Sequence, residues 1–136
     1  MANYAFDVIY IDDDPMMTEL FNQFINWKYR AWRAYACTDP VLLWKQIRAG
    51  ELTARVWIID IMMPDKDGGE IACAVRERFG ADVPVLGYTA LELTTLQNDP
   101  AYSHSLEHFT LIVRKNEGIA RVLALADGMM KNQVAG

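Results

Sequence analysis

Cysteine and histidine are scarce in this 136-residue chain, with two of each. Cys37 and Cys73 form neither a disulfide framework nor, with His104 and His108 added, a soft-metal ligand spacing, and a reducing cytoplasm suits such a chain. Basic charge is also in short supply. Thirteen Lys and Arg stand against eighteen Asp and Glu, a net charge of −5 with no basic run. That balance argues against direct binding of nucleic acid or of an anionic membrane surface, both of which need a basic field. No apolar run approaches the roughly 18 residues of a membrane span, and the start Met1-Ala2-Asn3-Tyr4 lacks the basic flank and apolar stretch of a signal peptide. Linkers and low-complexity tracts are missing as well. What is present is 52% hydrophobic and 11% aromatic, enough to bury a core and too much for a disordered chain. The length fits a single domain over residues 1–136, with its core at about 6–131.

Short apolar runs alternate with longer segments of helical period, the mark of parallel strands joined by crossover helices. Val8 to Ile11 reads as a first strand, and Asp14 with Pro15 opens a helix whose buried stripe is Met17, Leu20, Phe21, Phe24 and Ile25. A weaker strand lies around Arg30 to Ala36. Asp39-Pro40 repeats the cap-and-proline signal before Val41, Leu43, Trp44 and Ile47, and Gly50 ends that helix. Val56-Trp57-Ile58-Ile59 is continuously apolar, as in a central strand covered on both faces, and stops at Asp60. A loop to Gly68 leads into a third helix that ends at Phe79-Gly80. Val83 to Tyr88 is the fourth strand, and Phe109 to Val113 the fifth. Between them a helix near Leu91 to Gln97 is interrupted by Asn98-Asp99-Pro100. Ile119, Val122, Leu123 and Ala126 give the last helix, ending near Lys131, its apolar face; Met129-Met130 extends that helix or contacts a partner.

Ligands of an open parallel sheet bind beyond the carboxyl ends of its strands. Those ends carry Asp12 and Asp13, Asp60, Thr89, and Arg114-Lys115. Three carboxylates in one crevice raise one another's pKa unless a cation sits among them, so the arrangement asks for a divalent metal, an ammonium group, or both. Hard oxygen ligands point to Mg²⁺, with Lys115 as a second cation. Plainer readings exist: Asp12 to Asp14 and Thr89 as helix caps, Lys115 as a solvated side chain. Asp60 resists one, because an acid directly after a four-residue apolar run is costly to bury unpaired.

These residues resemble, over nearly the whole chain, the receiver domain of two-component response regulators. Ile11-Asp12-Asp13-Asp14-Pro15 is similar to the family's acidic pair, and Asp60-Ile61-Met62-Met63-Pro64-Asp65-Lys66-Asp67-Gly68 resembles its phosphoacceptor loop. Thr89-Ala90 and Lys115 resemble its switch threonine and its lysine. The resemblance implies an α/β, flavodoxin-like (βα)5 sandwich with a parallel sheet of order 2-1-3-4-5. It implies a phosphorylation switch that catalyses its own phosphoryl transfer rather than a metabolic enzyme. Asp60 is then the phosphoacceptor; Asp13, Asp60 and the Met62 backbone carbonyl hold Mg²⁺ directly, and Asp12 does so through water. Lys115 pairs with a phosphoryl oxygen, and Thr89 donates to another and reports to the face of helix four, strand five and helix five. The implied donor is a sensor histidine kinase or histidine phosphotransfer domain, with a downstream protein target and a phosphorylation-dependent dimer among the possible outputs.

Departures from the family pattern accompany the matches. Asn116 follows Lys115 where the family has proline, Ile112 stands at its aromatic output position, and Thr89 to Lys115 is a longer stretch that includes Pro100. Arg114 rivals Lys115, which is favoured as the more compact cation. Met62 and Leu91 flank the path of a hydrolytic water and are apolar, which implies slow self-dephosphorylation. Pro64 fixes one φ, while Gly68 supplies either a positive φ or a close backbone approach. Trp57 is expected near enough to Asp60 to report on metal binding; the four tryptophans are otherwise packing residues, and His104 and His108 ordinary ones. Two other readings compete: a degenerate receiver acting as a phosphorylation-independent interaction module, and an aspartyl phosphatase, which Met62 disfavours because such folds want a second acid there.

Overall fold

The computed structural model describes residues 4–135; residues 1–3 of the amino-terminal stretch considered above for a targeting signal, and residue 136, lie outside the described residues. Five strands, β1 (Phe6–Ile11), β2 (Ala34–Cys37), β3 (Ala54–Asp60), β4 (Val85–Thr89) and β5 (Leu111–Arg114), form one parallel sheet of order β2-β1-β3-β4-β5. This is the flavodoxin-like order expected. The helices are α1 (Pro15–Lys28), α2 (Pro40–Arg48), α3 (Gly68–Phe79), α4 (Leu93–Asn98), α5 (Pro100–Ser103) and α6 (Ile119–Ala135), with short 3-10 turns at Leu106–His108 and Lys115–Glu117. Among the described residues no helix is long and apolar enough to cross a membrane.

The alternation of β3 explains the two-layer core. Trp57 and Ile59 join the cluster that holds Leu43, Ile47, Ile71 and Val75, while Val56 and Ile58 join the one that holds Phe21, Ile25, Val122 and Leu123. All four β3 side chains are fully buried, each contributing about 1.5–3 kcal/mol of apolar burial. Asp14, Asp39 and Asp67 cap α1, α2 and α3 by accepting from Met16 N–H, Leu42 N–H and Glu70 N–H at 2.9, 3.1 and 2.9 Å. Each cap is worth about 1 kcal/mol and fixes where its loop ends and its helix begins.

Several elements are displaced from their expected positions. β2 starts at Ala34 rather than Arg30, because Tyr29 and Trp32 stack at 4.0 Å and close a turn through Trp32 N–H to the Tyr29 carbonyl. β4 starts after Pro84, which has no N–H to give the ladder, and runs one residue further to Thr89. β5 lies two residues later at its start, since Phe109 still closes the preceding 3-10 turn. Leu20 is 41% exposed; the buried stripe of α1 is Thr18, Phe21 and Ile25, with Met17 and Phe24 half-buried. Thr18 tolerates burial because its hydroxyl donates to the Pro15 carbonyl. The break at Asn98-Asp99-Pro100 is present as expected, with Asp99 ending α4 and capping α5. The last helix continues past Lys131 to Ala135, carrying Met129 and a buried Met130 within it.

Candidate functional site

β1 and β3 are parallel neighbours with Ile11 opposite Ile59, so Asp12, just after β1, and Asp60, the last residue of β3, emerge side by side. Both are buried, and Asp13 is half-buried at the rim. One carboxylate oxygen from each of Asp12, Asp13 and Asp60 lies within 4.8 Å of the others. Three hard anionic oxygens converging at that spacing fit a divalent cation such as Mg²⁺ in chemistry and in number, since that ion takes one or two carboxylates and completes its shell with water.

The short turn after β5 brings Lys115 across the top of the sheet. Its Nζ lies 2.8 Å from Asp12 Oδ2 and 3.4 Å from Asp60 Oδ2. Asp12 is further held by the Asp14 N–H on Oδ1 at 3.0 Å and by the Tyr10 hydroxyl on Oδ2 at 2.5 Å. Asp60 has the longer ion pair with Lys115 and lies against the Asp12 carboxylate. Its carboxyl is accordingly pushed up to about 7, by burial first and by the Asp12 charge second, against the pull of Lys115. Burial works to lower the Lys115 ammonium, but the hydrogen bond to Asp12 and the charges of Asp60 and Asp12 outweigh it and raise it. Three acids facing one lysine leave negative charge uncompensated, which a divalent cation would neutralise.

The loop from Ile61 to Asp67 is pinned by Ile61 and Met63, both buried, whereas the Met62 side chain is 48% exposed. Its turn needs a left-handed residue, and Asp65 supplies it at φ 65°, a conformation aspartate tolerates better than most. Gly68 is required for close approach rather than for a positive φ: a Cβ there would sit 2.2 Å from the Asp60 carbonyl oxygen. Its N–H donates to the Ile61 carbonyl at 2.9 Å, so the loop closes directly behind Asp60. Lys66 pairs with Glu70 at 2.9 Å and lies 4.0 Å over the Trp44 ring.

Thr89, at the end of β4, is fully buried and its hydroxyl accepts from Leu91 N–H at 3.1 Å. It does not cap α4; Glu92 occupies that position without a side-chain bond. Arg114 points away from the acids, reaching the Ala90 carbonyl at 3.4 Å and Glu92 at 4.0 Å, so Lys115 is the cation that meets Asp12 and Asp60. Ile112 is half-buried on β5, and Asn116 lies in the 3-10 turn after it. Trp57, three residues before Asp60 on β3, stacks its ring on Phe79 at the end of α3. Trp44, beneath Lys66, is closer to the loop chemistry. His104 uses its ring nitrogen on the Pro100 carbonyl and lies with His108 beside a separate cleft between α3 and the α5 region. Tyr10 was missed by motif reading, although the strand period of two puts residues 10 and 12 on one face.

A family model described as the response regulator receiver domain matches residues 8–99. Among curated proteins none matches the chain in sequence. Among solved structures, the receiver domain of the Francisella response regulator 1452 superposes with a TM-score of 0.75 at 18% identity, covering 96% of this chain and 99% of that one. The Vibrio cholerae chemotaxis protein CheY4 matches at 0.69 and 18%, covering 90% of this chain and 97% of its own. TrrA from Thermotoga maritima, solved in complex with Mg(2+)-BeF, also matches at 0.69 and 18%, with the same 90% and 97% coverage. At these identities the structural likeness is one of fold.

Proposed function

Because the chain belongs to the response regulator receiver domain family, we propose that it accepts a phosphoryl group from a phosphohistidine donor onto Asp60 and thereby changes its affinity for a protein partner. The observation that carries this reading is Asp60 at the end of β3, in a cluster of three carboxylates faced by a single lysine. Asp60 attacks phosphorus in line; the P–N bond to the donor imidazole opens, its electron pair returns to the ring nitrogen, which takes up a proton, and an acyl phosphate forms. Asp13, Asp60 and the Met62 carbonyl would hold Mg²⁺, with Asp12 acting through water. Bound there, Mg²⁺ supplies charge neutralisation for the phosphoryl and carboxylate oxygens. The Mg(2+)-BeF complex of TrrA supports the same use of the site here.

The chain's own residues then divide the work. Lys115, already at Asp60, turns to a phosphoryl oxygen. The Thr89 hydroxyl keeps its acceptor role toward Leu91 N–H and has its proton free to donate to another phosphoryl oxygen. Any shift of Thr89 is therefore felt by the 89–91 loop, which Arg114 ties to β5 through the Ala90 carbonyl. That linkage supports an output face at α4, β5 and α6, the face that would meet a downstream protein or a second copy. Met62 and Leu91 offer no polar atom to orient a water, so the acyl phosphate is lost slowly. A sensor histidine kinase or histidine phosphotransfer domain is the donor class, and the cytoplasm is the proposed location.

Intact mass spectrometry after incubation with Mg²⁺ and acetyl phosphate tests the reading. A phosphoryl adduct on the wild type and none on Asp60→Asn is the expected result. No adduct on either, with acetyl phosphate or with a phosphohistidine donor, contradicts it and leaves a phosphorylation-independent interaction module.

A further inference from the structure

Asp12 is the most enclosed acid of the site, with none of its surface exposed. A carboxylate so buried needs donors on both oxygens. Oδ1 has the Asp14 N–H; Oδ2 has two, Lys115 at 2.8 Å and the Tyr10 hydroxyl at 2.5 Å. The phenol is held as firmly as its partner. Tyr10 is itself fully buried near the carboxyl end of β1, its ring 5.0 Å from Phe21 of α1 and edge-on to Tyr88 of β4 at 6.2 Å. An aliphatic side chain would fill that core position without bringing a polar atom into it; the hydroxyl is tolerable there because Asp12 satisfies it.

We propose that Tyr10 is a positioning residue of the metal site: its hydroxyl holds the Asp12 carboxylate against Lys115, out of direct ligation, and moderates the pull of the three acids on a divalent cation. The inference rests on the reading of these acids as an Mg²⁺ site. With Oδ2 shared between a phenol and an ammonium, Asp12 has little left for a metal beyond a bound water, while Asp13 and Asp60 keep their oxygens for direct contact. Removing the hydroxyl uncovers part of the Asp12 charge. Mg²⁺ then binds more tightly, and the metal-free protein, whose buried Asp12 carboxylate keeps the Asp14 N–H and Lys115 but loses its third donor, is weakened more than the Mg²⁺-bound one.

The test is calorimetric titration of the full chain with Mg²⁺ alone, for wild type, Tyr10→Phe, Asp12→Asn and the double variant, with thermal unfolding of each with and without Mg²⁺. Tyr10→Phe is expected to lower the Mg²⁺ dissociation constant about three- to tenfold, and to change it less than about twofold when Asp12 is already Asn. An unchanged constant with equal loss of thermal stability in both states makes Tyr10 a packing residue only and overturns the proposal, as does an equal shift in the Asp12→Asn background. A wild type that binds no Mg²⁺ overturns the metal reading itself and this inference with it. If Tyr10→Phe does not fold, NMR of the wild type decides: the Tyr10 hydroxyl proton should resonate in slow exchange and move on saturation with Mg²⁺, and one that stays in place overturns the proposal.

Discussion

The two ends of the sheet carry their charges in opposite ways. At the amino end, Asp7 accepts from Arg33 N–H at 2.8 Å and faces Arg55 at 3.5 Å; Arg55 also reaches the Met130 carbonyl at 2.8 Å and Gln133 at 3.2 Å. Arg76 serves as a second tie there, donating to the carbonyls of His108, Gly80, Ala81 and Val83 and to the Thr110 hydroxyl. One acid meets two arginines, and a third arginine donates to backbone carbonyls and to the Thr110 hydroxyl where α3, β4 and the entry to β5 converge. At the carboxyl end three acids meet one lysine. The first arrangement binds elements together; the second holds like charges in proximity at a cost to stability that Lys115 offsets in part and that a bound cation or protonation of Asp60 would relieve further. The acidic end is therefore expected to respond to substitution in chemistry, and the arginine end in folding.

The largest effect should come from Asp60→Asn. It is expected to abolish the phosphoryl adduct altogether while raising the metal-free melting temperature above pH 7, because it removes a buried charge beside Asp12. A lower melting temperature under those conditions would break the contrast. Arg76→Ala, at the other end, should cost about 3–5 kcal/mol in urea unfolding by orphaning several carbonyls at once, with the Mg²⁺ affinity of the surviving folded protein within twofold of wild type.

Next comes pH. The Asp60 carboxyl sits at about 7 in the folded chain and near 4 in an unfolded one, so between those values the folded state binds more protons. Metal-free stability should consequently fall as pH rises from about 4 to about 7, and saturating Mg²⁺ or Asp60→Asn should flatten that slope. A slope of the same size in Asp60→Asn would assign it elsewhere. The smallest effect is expected on the flank between the two ends, where the exposed Arg48–Glu77 pair at 3.6 Å should lose no more than about 0.5 kcal/mol on Glu77→Gln, read by the same denaturant titration.

Most of the acidic end was legible in the sequence because it is local. Asp12 and Asp60 follow apolar runs directly, and a parallel sheet brings adjacent strand ends together whatever the surface details. Gly68 was legible as special, though not in which way; only the packing of its Cα on the Asp60 carbonyl separates close approach from a positive φ. The choice between Arg114 and Lys115 needed the direction of each side chain at the end of β5. Much of the amino end could not be read at all. Arg55 and Gln133 are far apart in sequence, as are Arg76 and Thr110, and no local pattern announces their meeting. Leu20 and the start of β2 were misplaced for a related reason: periodicity says which residues are apolar, while Tyr29 stacking on Trp32 decides where the chain turns.

Borohydride reduction of the phosphorylated protein, followed by peptide mapping, locates the phosphoryl group, since an acyl phosphate is reduced to the alcohol and marks its own position. If Asp60 is the acceptor, homoserine is found at position 60 alone, dependent on Mg²⁺. Reduction at position 12 or 13, or no reduced acid after exposure to a phosphohistidine donor, would contradict it.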